Sequence, residues 1–160
     1  HTNGAFPEHV PRLIGEVDKV SLDIKAAWPH YYEVTDLNCA RHVQASLARY
    51  RDAHAAGTLP EFEIVHTVFR GHEAEVPAVA AVAEGVDLVL QQGVWGREPP
   101  LSLAEFQALA DQLHRPVRIR TKEIGEVLYQ DGVFTVAGSM TVTDPERLQA
   151  YYKGGVRRGD

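Results

Sequence analysis

Asp18-Lys19-Val20-Ser21-Leu22-Asp23-Ile24-Lys25 is the stretch on which the reading of this chain turns. Val20, Leu22 and Ile24 alternate with polar residues, the two-residue period of a strand with one apolar face. Both flanks read as helix. Upstream, between Pro7 and Glu16, Val10, Leu13, Ile14 and Val17 recur at helical spacing. Downstream, Asn38 stands as the cap of a helix reaching about Ala56, with Val43, Leu47 and Tyr50 inward and Gly57 as its stop. A strand set between helices in this way is the repeating unit of an α/β fold.

The pattern continues along the chain. Phe62 to Phe69 is rich in β-branched and aromatic residues and reads as a second strand. Glu75 to Ala83 is an alanine-rich helix in which Pro77 falls in the tolerated first turn. Asp87-Leu88-Val89-Leu90-Gln91 is apolar until its end, as a strand covered on both faces would be. Ser102 and Glu105 form a capping box for a helix to about Leu113. Val117 to Thr121 is the next strand. Glu126–Tyr129 and Val133–Ala137 then make a hairpin around Gln130-Asp131-Gly132, and Asp144-Pro145 opens a last short helix. Alternation at these lengths predicts right-handed crossovers and a mostly parallel sheet. The expectation is one α/β domain over residues 1–160, barrel-like over 1–121, with a C-terminal β-hairpin and short helix over 122–160.

Composition narrows the function classes. The 160 residues carry a net charge of −6, with 44% hydrophobic and 24% charged residues, those of an ordinary globular domain. The pI is about 5.7, so the chain as a whole is not drawn to nucleic acid or an anionic membrane. Its basic run, Lys153, Arg157 and Arg158, is spaced by glycines and reads as a solvated end. No apolar run approaches the roughly 20 residues of a membrane span. A single cysteine, Cys39, precludes an internal disulfide and fits a reducing cytoplasm. The opening His1-Thr2-Asn3-Gly4 is turn chemistry with no strand before it, so the chain reads as beginning in mid-fold.

Ligands of parallel α/β sheets sit beyond the carboxyl ends of the strands. Those ends are Thr2-Asn3-Gly4, Asp23-Ile24-Lys25, Thr67 to Gly71, Leu90 to Gly93, and Arg118 to Thr121. A Thr-Asn-Gly turn followed about twenty residues later by Asp-x-Lys, with a helix between, resembles the radical S-adenosylmethionine activating enzymes of pyruvate formate-lyase and anaerobic ribonucleotide reductase. The aromatic loop Trp28 to Tyr32, the next helix, and a strand closing on the turn glycine Gly71 follow the family's order. The resemblance covers roughly residues 1–121. It implies a partial (β/α) barrel whose Thr2, Asn3, Gly4, Asp23, Lys25 and Gln91 bind S-adenosylmethionine. It implies no catalytic residue on this chain.

Two positions depart from the family. His1 stands where its turn carries an aspartate, and the chain has no CxxxCxxC. A [4Fe–4S] cluster of this kind needs three thiolates, so Cys39 cannot hold one and the cluster belongs to an intact parent. The reductive cleavage to a 5′-deoxyadenosyl radical that the resemblance implies belongs there too, and the isolated chain is expected to be inactive. The partners implied are a missing N-terminal half or a protein substrate. Self-association through the uncovered edge of the Val20–Ile24 strand, or a stretch of chain redirected to cover it, is a further expectation.

Plainer readings stand beside these. Asp23 and Lys25 can form a simple ion pair, and Thr2-Asn3-Gly4 a simple turn. His66, His72 and Glu73 match no common metal spacing, and no metal is expected. Cys39 reads as a small apolar filler, and Trp28, Tyr31 and Tyr32 as packing under a loop. Gln91 and Gln92, two amides ending an apolar strand, need a partner, either a ligand or neighbouring backbone. The competing function is a free-standing α/β module that binds a small ligand, or a partner, without catalysis.

Overall fold

A computed structural model describes residues 1–136 and 140–154. The strand end expected at Ala137 and the basic residues Arg157 and Arg158 lie outside the described residues. The chain is α/β, with seven strands in an open, mixed sheet whose strand order follows chain order. It divides into two compact units, His1–Thr67 with Glu75–Leu88, and Val68–Ala74 with the chain from Val89 onward.

The first unit opens with α1 (Val10–Ile14), β1 (Lys19–Asp23), α2 (Tyr31–Thr35) and α3 (Ala40–Ala55). It continues through β2 (Glu61–Val68) as far as Thr67 and includes α4 (Val76–Val82). β1 and β2 are parallel, with Lys19 opposite Glu61 and Asp23 opposite Val65. Even-numbered residues of both strands face α3. Tyr50 of α3 packs on Phe62 with ring centroids 5.7 Å apart, and Leu22, Val43 and Ile64 are fully buried. The odd-numbered residues point to the other face, which is polar. There Ser21 Oγ donates to Glu63 at 2.6 Å, and Lys19 Nζ lies 3.2 Å from the same buried carboxylate.

Three local expectations need correcting. β1 ends at Asp23, so Lys25 already belongs to the segment leaving the strand. The helix cap is Cys39, not Asn38, and no side chain caps α3. The aromatic stretch expected to be a loop holds a 3-10 turn, Trp28–His30, and then α2, which ends on Asp36 at φ 57°.

The second unit takes in β3 (Asp87–Gln92) from Val89, α5 (Leu103–Asp111), β4 (Val117–Thr121), β5 (Gly125–Gln130), β6 (Val133–Val136), β7 (Met140–Val142) and α6 (Pro145–Lys153). β3 and β4 are parallel, but β4–β5, β5–β6 and β6–β7 are all antiparallel. The sheet is therefore mixed, not mostly parallel. The cause is the tight connections after Thr121, which are too short for the crossover a parallel pair needs. The α5 capping box forms with both of its hydrogen bonds, and Asp144 caps α6 through Glu146 N at 2.9 Å. Tyr129 OH donates to Asp111 at the end of α5. Among the described residues, no helix is long and apolar enough to cross a membrane.

Candidate functional site at the carboxyl end of β1

The residues singled out at the start of the chain do come together. Thr2 forms a parallel bridge to Leu22; its N–H donates to Ser21 O at 3.0 Å, and its carbonyl accepts from Asp23 N at 2.9 Å. The outer edge of β1 is covered at its carboxyl half by the chain's own first residues, the second of the two outcomes expected for it. Thr2 Oγ1 accepts from Gly4 N, and Asn3 Oδ1 from Ala5 N, each closing a side-chain turn. Gly4 has φ +70°, and an added Cβ there would stand 2.8 Å from Leu22 Cδ1. Its carbonyl accepts from the buried Ser46 hydroxyl at 2.7 Å, which fastens the turn to α3.

Beside this turn, Lys25 Nζ lies 2.5 Å from Asp23 Oδ2. The two charges meet each other on the face turned away from α3, and neither reaches a helix residue through this pair. Asp23 Oδ1, by contrast, is buried without a hydrogen-bond partner.

His66 of β2 was weighed in the sequence only as a weak metal candidate. It is 1% exposed. Its Nδ1 is 2.8 Å from Ile24 O, a bond 42 residues apart in sequence. A carbonyl can only accept, so Nδ1 carries the proton and Nε2 is the ring's acceptor. That Nε2 is buried and has no partner. Burial pushes the His66 pKa down, opposed by the Ile24 carbonyl and the Asp23 and Glu75 carboxylates, and the imidazole is neutral at pH 7.

The segment leaving β1 is tied down by groups the sequence did not reveal. Glu75 accepts from Ala27 N and from His30 Nδ1, both at 2.8 Å. Burial raises the Glu75 pKa, but these two donors outweigh it and hold the carboxyl below its ordinary value. Tyr31 OH accepts from Lys25 N at 3.4 Å, and burial raises its pKa to about 12.

Gln91 lies in the second unit, where its Oε1 accepts from Arg120 Nη1 at 2.9 Å. Gln92 bonds backbone at both ends, donating to Leu101 O at 2.8 Å and accepting from Lys122 N at 3.1 Å. Nearby, Arg70 makes a bidentate pair with Glu105 and also donates to Pro99 O and Pro100 O. The loop after β3 is thereby pinned, with Trp95 60% exposed over Phe69 and His72. Among the described residues, no three His, Cys, Asp or Glu side chains are grouped to hold a metal ion. No family model, curated protein or solved structure matches the chain.

Proposed function

We propose that this chain forms the nucleoside and substrate side of a radical S-adenosylmethionine site of the glycyl-radical-activase type, on part of a (β/α) barrel. The observation that carries the reading is the parallel bridge between Thr2 and Leu22. It sets the Thr2-Asn3-Gly4 turn beside the carboxyl half of β1, which supports reading the turn and the Asp23–Lys25 pair as neighbouring strand ends. The donor set suits the ligand. Lys25 offers a cation to the methionine carboxylate, Asp23 has an unpartnered carboxylate oxygen for an ammonium or hydroxyl donor, and the exposed Asn3 amide is the polar group the turn offers. Bound S-adenosylmethionine supplies, on reductive cleavage, the hydrogen-abstracting group of the parent reaction; the residues here bind and orient it.

The cluster is a different matter. Cys39 is the one cysteine of the chain, and three thiolates are needed. These residues do not fit a [4Fe–4S] cluster, so it and the remaining strands would come from a cysteine-bearing segment. Equilibrium dialysis of the full chain against S-adenosylmethionine tests the reading. Retention of the ligand is expected, weakened at least tenfold by Asp23→Ala; no retention by the unsubstituted chain overturns it. Anaerobic reconstitution of the isolated chain is expected to leave no iron–sulfur absorbance and no cleavage. Binding that persists with no cleavage even after addition of a cysteine-bearing N-terminal half would instead make the chain a binding module.

A further inference from the structure

We infer that the exposed indole of Trp95 is a docking platform for an arginine side chain of a partner polypeptide, whose guanidinium lies flat on the open face of the ring. Trp95 belongs to the second unit, whereas Asp23 and Lys25 belong to the first, and the platform does not depend on the S-adenosylmethionine reading.

Two turns build it. Phe69–His72 follows β2 and is closed by His72 N donating to Phe69 O at 2.9 Å; Trp95–Glu98 follows β3 and is closed by Glu98 N donating to Trp95 O at 3.2 Å. Gly93 N donates to Val68 O at 3.0 Å and joins their roots. Arg70, inside the first turn, clips the far end of the second. Its Nε donates to Pro99 O at 2.9 Å and its Nη2 to Pro100 O at 3.2 Å, while Nη1 and Nη2 together hold Glu105. On this frame the His72 ring stacks along the indole at 24° and Phe69 meets it at 88°. Trp95 nevertheless stays 60% exposed and Val94 65%. A Cβ added at Gly71 or Gly96 would meet nothing within 4 Å, so the space beside both turns is open. A tryptophan that served only to pack the loop would be largely buried. Here the ring is fixed in place and presents a face to solvent, so little ordering is left for a ligand to impose.

Size and charge select that ligand. Stable protein interfaces bury about 800 Å² on each partner. The Val94 and Trp95 side chains fall far short of that, so the face suits one side chain of a flexible segment and not a folded surface. The surroundings are acidic. Arg70 and Glu105 neutralise each other in their bidentate pair, which leaves Glu73 and Glu98, both within electrostatic reach of Arg70, against Arg97. The whole chain carries −6. A cation is drawn to such a surface and an anion, a nucleotide included, is repelled. Tryptophan has the best cation–π face of the aromatic side chains. Among cationic side chains the guanidinium is the planar, weakly hydrated one that stacks on it; lysine matches the charge but not the plane.

The test uses the full chain as Trp28→Phe, in which Trp95 gives the one indole N–H resonance. It is titrated with a short peptide of arginines spaced by glycines, and with the same peptide carrying lysine or citrulline in place of each arginine. The arginine peptide is expected to move the Trp95 resonance saturably, in the millimolar range. The lysine peptide should bind more weakly, and the citrulline peptide, planar but uncharged, should not saturate. Trp95→Leu, followed through the resonances of the peptide, should lower affinity about fivefold. Trp95→Phe keeps a ring face and should retain part of the binding, and Asp23→Ala should leave it unchanged. Equal affinity for the three peptides, or unchanged affinity in Trp95→Leu, would overturn the inference. So would a dimer in sedimentation that Trp95→Leu dissolves, which would make the platform a contact between copies of this chain. Adenosine saturating the resonance where the arginine peptide does not would overturn it as well.

Discussion

An added methyl group at Gly4 meets two obstacles at once, a left-handed backbone at φ +70° and Leu22 Cδ1 at 2.8 Å. Together these should cost about 2–4 kcal/mol, so Gly4→Ala is expected to lower the urea midpoint with little change in slope. His66 gives a second prediction at this scale. Its folded pKa is lowered from 6.5 while the unfolded chain keeps the ordinary value, so below pH 6.5 the unfolded state binds the extra proton. Its contribution to stability is complete above pH 6.5 and declines as pH falls towards the lowered value. His66→Asn should flatten the fall in melting temperature between pH 7 and pH 5. The meeting of Asp23 and Lys25 was legible, because residues two apart on an extended chain share a side. His66 was not. A histidine in an apolar run carries no mark of which group it will bond, and its partner is 42 residues away.

At the scale of elements, what is encoded locally could be read and what depends on distant contacts could not. The capping box of α5 was legible because both of its residues lie within one turn. Its third participant, Arg70, comes from beyond the end of β2. Arg70 lowers Glu105 to about 2, helped by the Ser102 N–H. With a depressed carboxylate the stabilisation is present above about pH 4.5 and is lost as pH falls towards 2. The pair is over a third exposed on the carboxylate side, so screening keeps its worth small. Arg70→Ala should lower the melting temperature at pH 7 by roughly 2 °C, a difference that shrinks as pH falls towards 2 and leaves only the bonds to the Pro99 and Pro100 carbonyls. The five-residue α2 and the three-residue β7 escaped the sequence for a shared reason: neither is long enough to show a period.

For the molecule as a whole, the alternation of helices and strands identified an α/β fold, but strand direction after Thr121 was settled by connection length. Gly125 and the Asp131–Gly132 pair, all at positive φ, turn the chain back within a few residues, which only antiparallel neighbours allow. The nearness of the Thr2 turn to β1 was legible from turn chemistry, a helix and a strand following one another in chain order. The engagement of Gln91 by Arg120 was not, since it depends on the register of β3 against β4.

The pinned loop after β3 also gives the molecule an optical consequence. Of the two tryptophans, Trp95 stands open to solvent in the second unit, while Trp28 in the first is half-buried against Tyr31, with ring centroids 5.5 Å apart. Their fluorescence should therefore differ, red-shifted and readily quenched by acrylamide for Trp95, bluer and more shielded for Trp28. Trp95→Phe is expected to remove the readily quenched fraction and leave an emission that reports the first unit. Trp28→Phe leaves the complementary signal. Each unit thus carries its own lamp, and melting the two variants in parallel would time the loss of each unit separately.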